Sequence, residues 1–240
     1  MNNRISGALD LYHRKTKDLL NTVSVPAGSN YNNEVLTNVG ELVNKGIEFS
    51  VTAHPVVTRD LDWSVSYNVA YNKNKITKLT LNDDPNYAGV MDSDGGITGG
   101  TGNKVIIHAV DKPYGSFYVY EQVYDNDGKP VEGAYVDQNG DGVIDSKDLI
   151  IYKKAAPDVT MGFSSQLTYK NWDFSFAMHA SIGNYAYNNI QSNREAKSTI
   201  YDPSGFLKNR VNSASYTNFN ETRFLSSYYV QNASFLRMDN

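Results

Sequence analysis

Apolar and polar residues trade places at every step along several stretches of this chain, and only an extended strand sorts such a pattern onto two faces. From Asp62 to Tyr71 the odd positions are Trp63, Val65, Tyr67, Val69 and Tyr71, and the even ones are Asp62, Ser64, Ser66, Asn68 and Ala70. Further on, Met161, Phe163, Leu167 and Tyr169 alternate with Gly162, Ser164, Gln166 and Thr168. The parity then flips across Lys170-Asn171. Trp172, Phe174, Phe176, Met178, Ala180 and Ile182 face one side, and Asp173, Ser175, Ala177, His179 and Ser181 the other. A flip over so short an interval is a hairpin with a tight turn at 169–172. Ile47, Phe49 and Val51 repeat the pattern against Glu48, Ser50 and Thr52, as do Ile5, Gly7, Leu9 and Leu11 against Ser6, Ala8, Asp10 and Tyr12.

The connections come in two sizes. Short ones lie near 54–60 and at 170–171, and long ones span roughly 15–38, 74–103, 124–158 and 184–227. If the strands run up and down, the long loops fall at one end and the short turns at the other, provided that a weaker hairpin occupies 105–110 and 115–124 with its turn at 111–114. This predicts an all-β fold of antiparallel up-and-down strands forming part of a transmembrane β-barrel, with short turns at one rim and long loops at the other. Trp63, Tyr169 and Trp172 would sit at the short-turn rim, where barrels carry an aromatic girdle. An antiparallel sandwich with one solvated face also alternates. Small, uncharged residues on the polar face and loops too long for a compact domain speak against it.

Hydropathy agrees with either architecture. The mean value is −0.50. No apolar run approaches the length of a membrane-spanning helix, whereas barrel strands of about 10 half-polar residues leave no trace in such averages. The 18 Tyr, against 9 Phe and 2 Trp, favour strands over disorder. A net charge of −4 gives no reason to expect a nucleic-acid partner. With no cysteine, disulfides, thiolate metal sites and thiol nucleophiles are excluded. Asn2-Asn3-Arg4 after Met1 does not read as a signal peptide. Asp239-Asn240 falls within what reads as a strand, so 1–240 reads as a partial barrel domain cut from a longer protein.

One motif is specific. Asp137-Gln138-Asn139-Gly140-Asp141-Gly142-Val143-Ile144-Asp145-Ser146-Lys147-Asp148 has the spacing of a twelve-residue calcium loop. Asp137, Asn139, Asp141, Asp145 and Asp148 would offer side-chain oxygens, Val143 its carbonyl, and Gly142 the turn glycine. Asp148 stands at the twelfth position where glutamate is usual, a shorter arm. The oxygen-only set suits Ca2+ in a structural role, with 137–148 inserted in a long extracellular loop. Gly95, Gly96, Gly99, Gly100 and Gly102 with Lys104 lack the spacing of a phosphate loop and read as a loop tip. The sequence Asp125-Asn126-Asp127-Gly128 continues as Lys129-Pro130 and reads as a turn. His13, His54, His108 and His179 show no metal spacing, no nucleophile elbow occurs, and nothing marks a catalytic residue.

These segments, taken in order, resemble the SusC/RagA-like family of TonB-dependent outer-membrane transporters, in the C-terminal part of its barrel. The resemblance rests on Asn3-Arg4-Ile5-Ser6-Gly7, Tyr12, Lys15-Thr16-Lys17-Asp18-Leu19-Leu20, Asn38-Val39-Gly40-Glu41, Asn44-Lys45-Gly46-Ile47-Glu48, Trp63 and Tyr71-Asn72-Lys73-Asn74-Lys75-Ile76. It continues through Lys112-Pro113-Tyr114-Gly115-Ser116-Phe117-Tyr118, the 137–148 loop, Pro157-Asp158, Gly162-Phe163, Tyr169-Lys170-Asn171-Trp172-Asp173 and the stretch from Tyr229 to Asn240. The resemblance implies a 22-stranded barrel in the Gram-negative outer membrane, with its plug and C-terminal strands outside this chain. It further implies uptake of oligosaccharides or peptides, a SusD-like surface lipoprotein, TonB engaged through the missing N-terminal part, and contact with outer-membrane lipid. No short motif of the family marks substrate contacts. The competing expectation is a soluble calcium-stabilised β-sheet binding module of the adhesin or carbohydrate-binding type.

Overall fold

The computed structural model describes residues 4–24, 28, 31, 34–80, 88–92, 95–99 and 102–240. Three long strands open the chain: β1 (Ile5–Ser24), β2 (Glu34–Val57) and β3 (Leu61–Lys78). An excursion follows, with β4 (Val90–Met91), β5 (Ile106–His108), β6 (Ser116–Tyr120), β7 (Gln122–Tyr124), β8 (Pro130–Tyr135) and β9 (Leu149–Lys154). The chain returns in β10 (Val159–Tyr169) and β11 (Trp172–Ile182). A second excursion holds β12 (Tyr185–Tyr187), helices α1 (Asn189–Arg194) and α2 (Ala214–Thr217), and β13 (Val230–Asn232), before β14 (Phe235–Met238).

The wall is one six-stranded antiparallel meander in the order β1-β2-β3-β10-β11-β14. Its two short turns join β2 to β3 and β10 to β11, and its long connections all lie at the opposite edge. Directly opposed residues share a face, so the register tests the alternation across strands. Leu9, Phe49, Val69, Met161, Ala180 and Leu236 form one transverse row, and Leu11, Ile47, Tyr71, Val159 and Ile182 another. On the other face Ala8, Ser50, Asn68, Gly162, His179 and Arg237 form a row of small and polar side chains. From Val159 to Tyr169 the apolar face runs about 33 Å along the strand at about 3.3 Å per residue. A tilt of about 40° brings its height to about 25 Å, the height of a barrel's lipid band. At the short-turn rim Leu167 opposes Trp63, and Tyr169 opposes Trp172. The expected aromatic cluster is therefore on the apolar face. Trp172 is 79% exposed.

Two loop expectations are corrected. The stretch 15–38 is not an open loop: pairing of β1 with β2 continues from Lys15↔Val43 to Ser24↔Glu34. The register slips between Thr16 and Leu19 and again between Leu19 and Leu20, with Asp18 at a φ of 59°. Each bulge resets the parity, so a strand that remains paired stops alternating in sequence. The second correction concerns 105–124, which does not form a wall hairpin. β3 pairs directly with β10, so 79–158 is one excursion rather than two loops around a hairpin. β5 and β6 do pair, but in a separate four-stranded sheet of order β4-β5-β6-β9. Val105, just before β5, and Phe117 and Val119 of β6 are buried against Val230 of the second excursion. One excursion in place of two loops and a hairpin leaves the up-down parity of the wall unchanged.

Candidate functional site

The polar face of the wall and the loop layer above it are the two surfaces that a solute could meet. On the wall, Ser66 Oγ is 3.0 Å from Thr52 Oγ1, and Thr168 Oγ1 donates to Asp173 at 2.7 Å. His179 Nδ1 pairs with Asp239, whose other oxygen takes the Arg237 guanidinium at 2.9 Å. These groups satisfy one another within the sheet, as a polar interior allows.

The loop layer is built from both excursions. Tyr120 N–H donates to the Leu225 carbonyl at 2.8 Å. Buried Gln122 joins the two halves. Its amide nitrogen approaches the carbonyls of Val131, Ala134 and Val123 at 2.7, 3.1 and 3.0 Å. Its side-chain oxygen accepts from Ser226 Oγ at 2.7 Å, and its backbone N–H donates to Ser227 Oγ at 3.0 Å. Glu132 caps the backbone amides of Asn220 and Glu221 at 2.9 and 2.7 Å.

Deeper in the second excursion, Glu195 is fully buried. Its Oε1 accepts from Gln191 Nε2 at 3.1 Å and from the Tyr228 hydroxyl at 3.2 Å. Oε2 and the Nε of Arg210 have no hydrogen-bond partner, although Arg210 also donates to the Glu195 carbonyl. Burial pushes the hydroxyls of Tyr228 and Tyr229 well above the usual phenol range, and the Glu195 charge pushes them further. Burial raises Tyr187 to about 12. Nothing in the sequence around Asn193-Arg194-Glu195 announces this cluster, because Arg210 and Tyr228 reach Glu195 from 15 and 33 positions away.

The 137–148 loop is ordered by its own carboxylates. Asp137 accepts from the amides of Gly140 and Gly142 at 2.6 and 2.8 Å, and both glycines take positive φ, 74° and 82°. Asn139 Oδ1 accepts from Asp141 N–H, and Asp141 Oδ1 from Val143 N–H, each at 2.9 Å. Asp148 has no solvent exposure. It accepts from the amides of Asp145 and Gln138 at 2.8 and 2.9 Å. Those amides, that of Asp145 foremost, hold its carboxyl below the usual range. Asp141 and Asp145 turn outward to Lys147, at 3.8 and 3.7 Å. The six expected ligand residues thus share one turn structure. Among the described residues no group of three or more His, Asp or Glu side chains is drawn together closely enough to hold a metal ion.

A six-stranded meander with an apolar band on one face, an aromatic rim at its short turns and a folded loop layer at its other edge is a wall segment of an outer-membrane type of barrel. Comparison with known proteins agrees. The chain is 45% identical, over its whole length, to the TonB-dependent receptor SusC of Bacteroides thetaiotaomicron and covers 24% of it. It is 36% identical over 78% of its length to the TonB-dependent receptor P26 of Formosa agariphila, covering 19% of that protein. It is 32% identical over 99% of its length to receptor P3 of the same organism, covering 25%. The chain therefore spans about a quarter or less of the length of the curated relatives it matches. Among solved structures, the RagAB peptide transporter aligns with a TM-score of 0.68 at 23% identity, over 98% of this chain and 26% of that one. The RagAB peptide importer in its closed-closed state gives 0.66 at 22% identity, over 99% and 26%. Both establish the shared barrel fold. No protein-family profile matches the chain. The chain is thus a segment of β-barrel that is similar over its whole length to the TonB-dependent receptor SusC and shares its fold with the RagAB transporter.

Proposed function

We propose that this segment forms part of the wall and outer mouth of a nutrient importer in the Gram-negative outer membrane. The observation that carries the reading is the apolar band, continuous across all six strands and ending in Trp63, Tyr169 and Trp172 at the short-turn rim. A soluble module has no use for such a band. The polar rows face the lumen, the short turns the periplasm, and the loop layer the outside. The cargo is an oligosaccharide or peptide, met at the loop layer together with a SusD-like lipoprotein, and TonB acts through parts of the receptor outside this segment. The names of the relatives, a TonB-dependent receptor SusC and a RagAB peptide transporter, support this assignment.

The 137–148 loop binds calcium in this reading. Asp137, Asn139, Asp141, Asp145 and Asp148 would hold the ion with the Val143 carbonyl, and the ion would displace Lys147 from Asp141 and Asp145. All these donors are oxygen, the chemistry calcium takes, and the glycines at 140 and 142 already hold the turn. When bound, the ion would tie the loop's ends together.

Sidedness tests the importer reading. In the full-length receptor a cysteine at Gly96, where a Cβ meets nothing within 4 Å, should react with an impermeant thiol reagent on whole cells. A cysteine at Asn171 should react only after the outer membrane is opened. Gly99 is unsuitable, since a Cβ there would come within 2.2 Å of the Phe224 ring. Equal labelling of both sites on intact cells rejects the topology. TonB-dependent uptake of an oligosaccharide or peptide by the same cells tests transport itself.

A further inference from the structure

One residue of β9 is out of step. Opposite β6, Tyr152 pairs with Phe117 and Lys154 with Ser116, which leaves Lys153 as a bulge. Its φ of 46° lies in the left-handed region that lysine seldom adopts. Bulges re-aim the side chain of the extra residue, and strain kept in a fold points to a use for it. Lys153 lines a cavity of about 340 Å3 together with Lys112, Lys154, Asp158, Gly183 and Tyr185.

The cavity lies on the polar side of the wall. Val159 and Ile182 belong to the apolar face, so Asp158 and Gly183, one residue beyond each strand, point the other way. A Cβ on Gly183 would come within 2.6 Å of Asp158 Oδ2, so the glycine makes room for that carboxylate. The charges do not balance. Lys154 Nζ is 2.5 Å from Asp158 Oδ1, with its side chain 13% exposed, and this pair is matched. The Lys153 ammonium stands 5.4 Å from the Tyr152 ring centre and 5.2 Å from that of Tyr185. Contacts with ring faces leave the ammonium protons free to donate. Among the described residues, neither Lys112 nor Lys153 has a carboxylate partner. Two cations without a carboxylate partner and an aromatic ring therefore line one concave space, beside the matched Lys154–Asp158 pair.

We infer that this cavity binds the carboxylate of a ligand about the size of one sugar ring or one amino-acid residue. Lys112 and Lys153 hold the acid group, and Tyr185 supports the ligand's apolar side. The inference rests on the importer reading, which makes this face a lumen, and it selects acidic over neutral cargo.

Calorimetric titration of the full-length receptor in detergent tests it with two pairs of probes: trigalacturonate and its methyl ester, and trialanine and its C-terminal amide. In one pair the acid should bind about tenfold tighter than its neutral partner, as expected for charge-assisted hydrogen bonds. That advantage should shrink as salt rises from about 50 to about 500 mM. Preference within the sugar pair identifies an acidic glycan, and preference within the peptide pair a peptide carboxylate. Lys153→Met and, independently, Lys112→Met should each remove most of the preference. Lys112 lies in an exposed turn, so its variant does not touch the bulge. Equal binding of acid and neutral probes in both pairs, or a preference that survives both substitutions, overturns the site. Because binding is measured on purified receptor, a preference found alongside failed uptake would reject the importer and leave the site standing.

Discussion

Trp63 and Ser165 lie 102 positions apart and meet on the apolar face, where the indole Nε1 donates to Ser165 Oγ at 3.0 Å. Ser165 is the one break in the alternation of Met161, Phe163, Leu167 and Tyr169, and it opposes Val65 and Phe176. A hydroxyl among such neighbours needs a partner, and Trp63 supplies one while keeping its ring at the rim. Trp63→Phe and Ser165→Ala should each destabilise the full-length barrel. In a double-mutant cycle they should couple by about 0.5–1 kcal/mol, the scale of polar pairs in bilayers. Urea unfolding in lipid vesicles reads the coupling, and strictly additive effects would show that the bond contributes nothing.

The register makes the two faces testable at adjacent positions. Phe176 opposes Ser165 on the apolar face, and Ala177 opposes Ser164 on the polar one. Phe176→Arg should cost about 2–4 kcal/mol near the bilayer midplane, and Ala177→Arg far less. The Phe176→Arg penalty should vary with bilayer thickness. Heat-modifiable gel mobility and urea stability of the full-length protein give both numbers. Equal, small effects at the two sites would overturn the assignment of faces.

Asp148 links the 137–148 loop to pH. Its carboxyl is depressed in the folded state, so the stability it lends is present above the unfolded value of about 3.9 and is lost as pH falls through the folded one. Proteolysis of this loop should therefore be flat from about pH 7 to about pH 5 and accelerate only below about pH 4. At neutral pH, calcium should slow cleavage relative to chelator, and Asp141→Ala should erase that difference. Identical cleavage with calcium and with chelator in the native sequence ends the calcium proposal.

Gln122 should behave as the bolt of the loop layer. Gln122→Leu removes the side-chain donor to the carbonyls of Val131 and Ala134 and the acceptor of the Ser226 hydroxyl proton. Buried groups left unpaired cost about 1–3 kcal/mol each. Amide exchange should accelerate at 131–135 and at 225–230 together, and remain unchanged in β10 and β11. Acceleration on only one side would mean that the two excursions are not joined through this residue.

The strands of the wall were legible because one face is apolar and the other small and polar, which writes a period of two into β3, β10 and β11. The same rule failed in β1 beyond Lys15, where the bulges around Asp18 scramble parity without ending the pairing. It misled at Val105, Phe117 and Val119, whose alternation belongs to the buried side of a small sheet in the loop layer and not to the wall. The 137–148 turn was readable because its carboxylates and glycines are contiguous. Gln122 with Ser226, Glu195 with Tyr228, and Lys153 with Tyr185 were not, since each pair is assembled by the fold from distant segments. Only the positive φ at Lys153 marks its cavity, and a backbone angle leaves no sign in a sequence.

The shared burial of Val119 and Val230 has a mechanical consequence. Two excursions with separate cores could swing as independent flaps, each at its own rate. Here the same packed side chains, the Gln122 bonds and the Glu132 cap join the two, so a displacement of either should carry the other with it. The two excursions should therefore move as one body, with a stiffness set by their shared interior and not by the length of either loop.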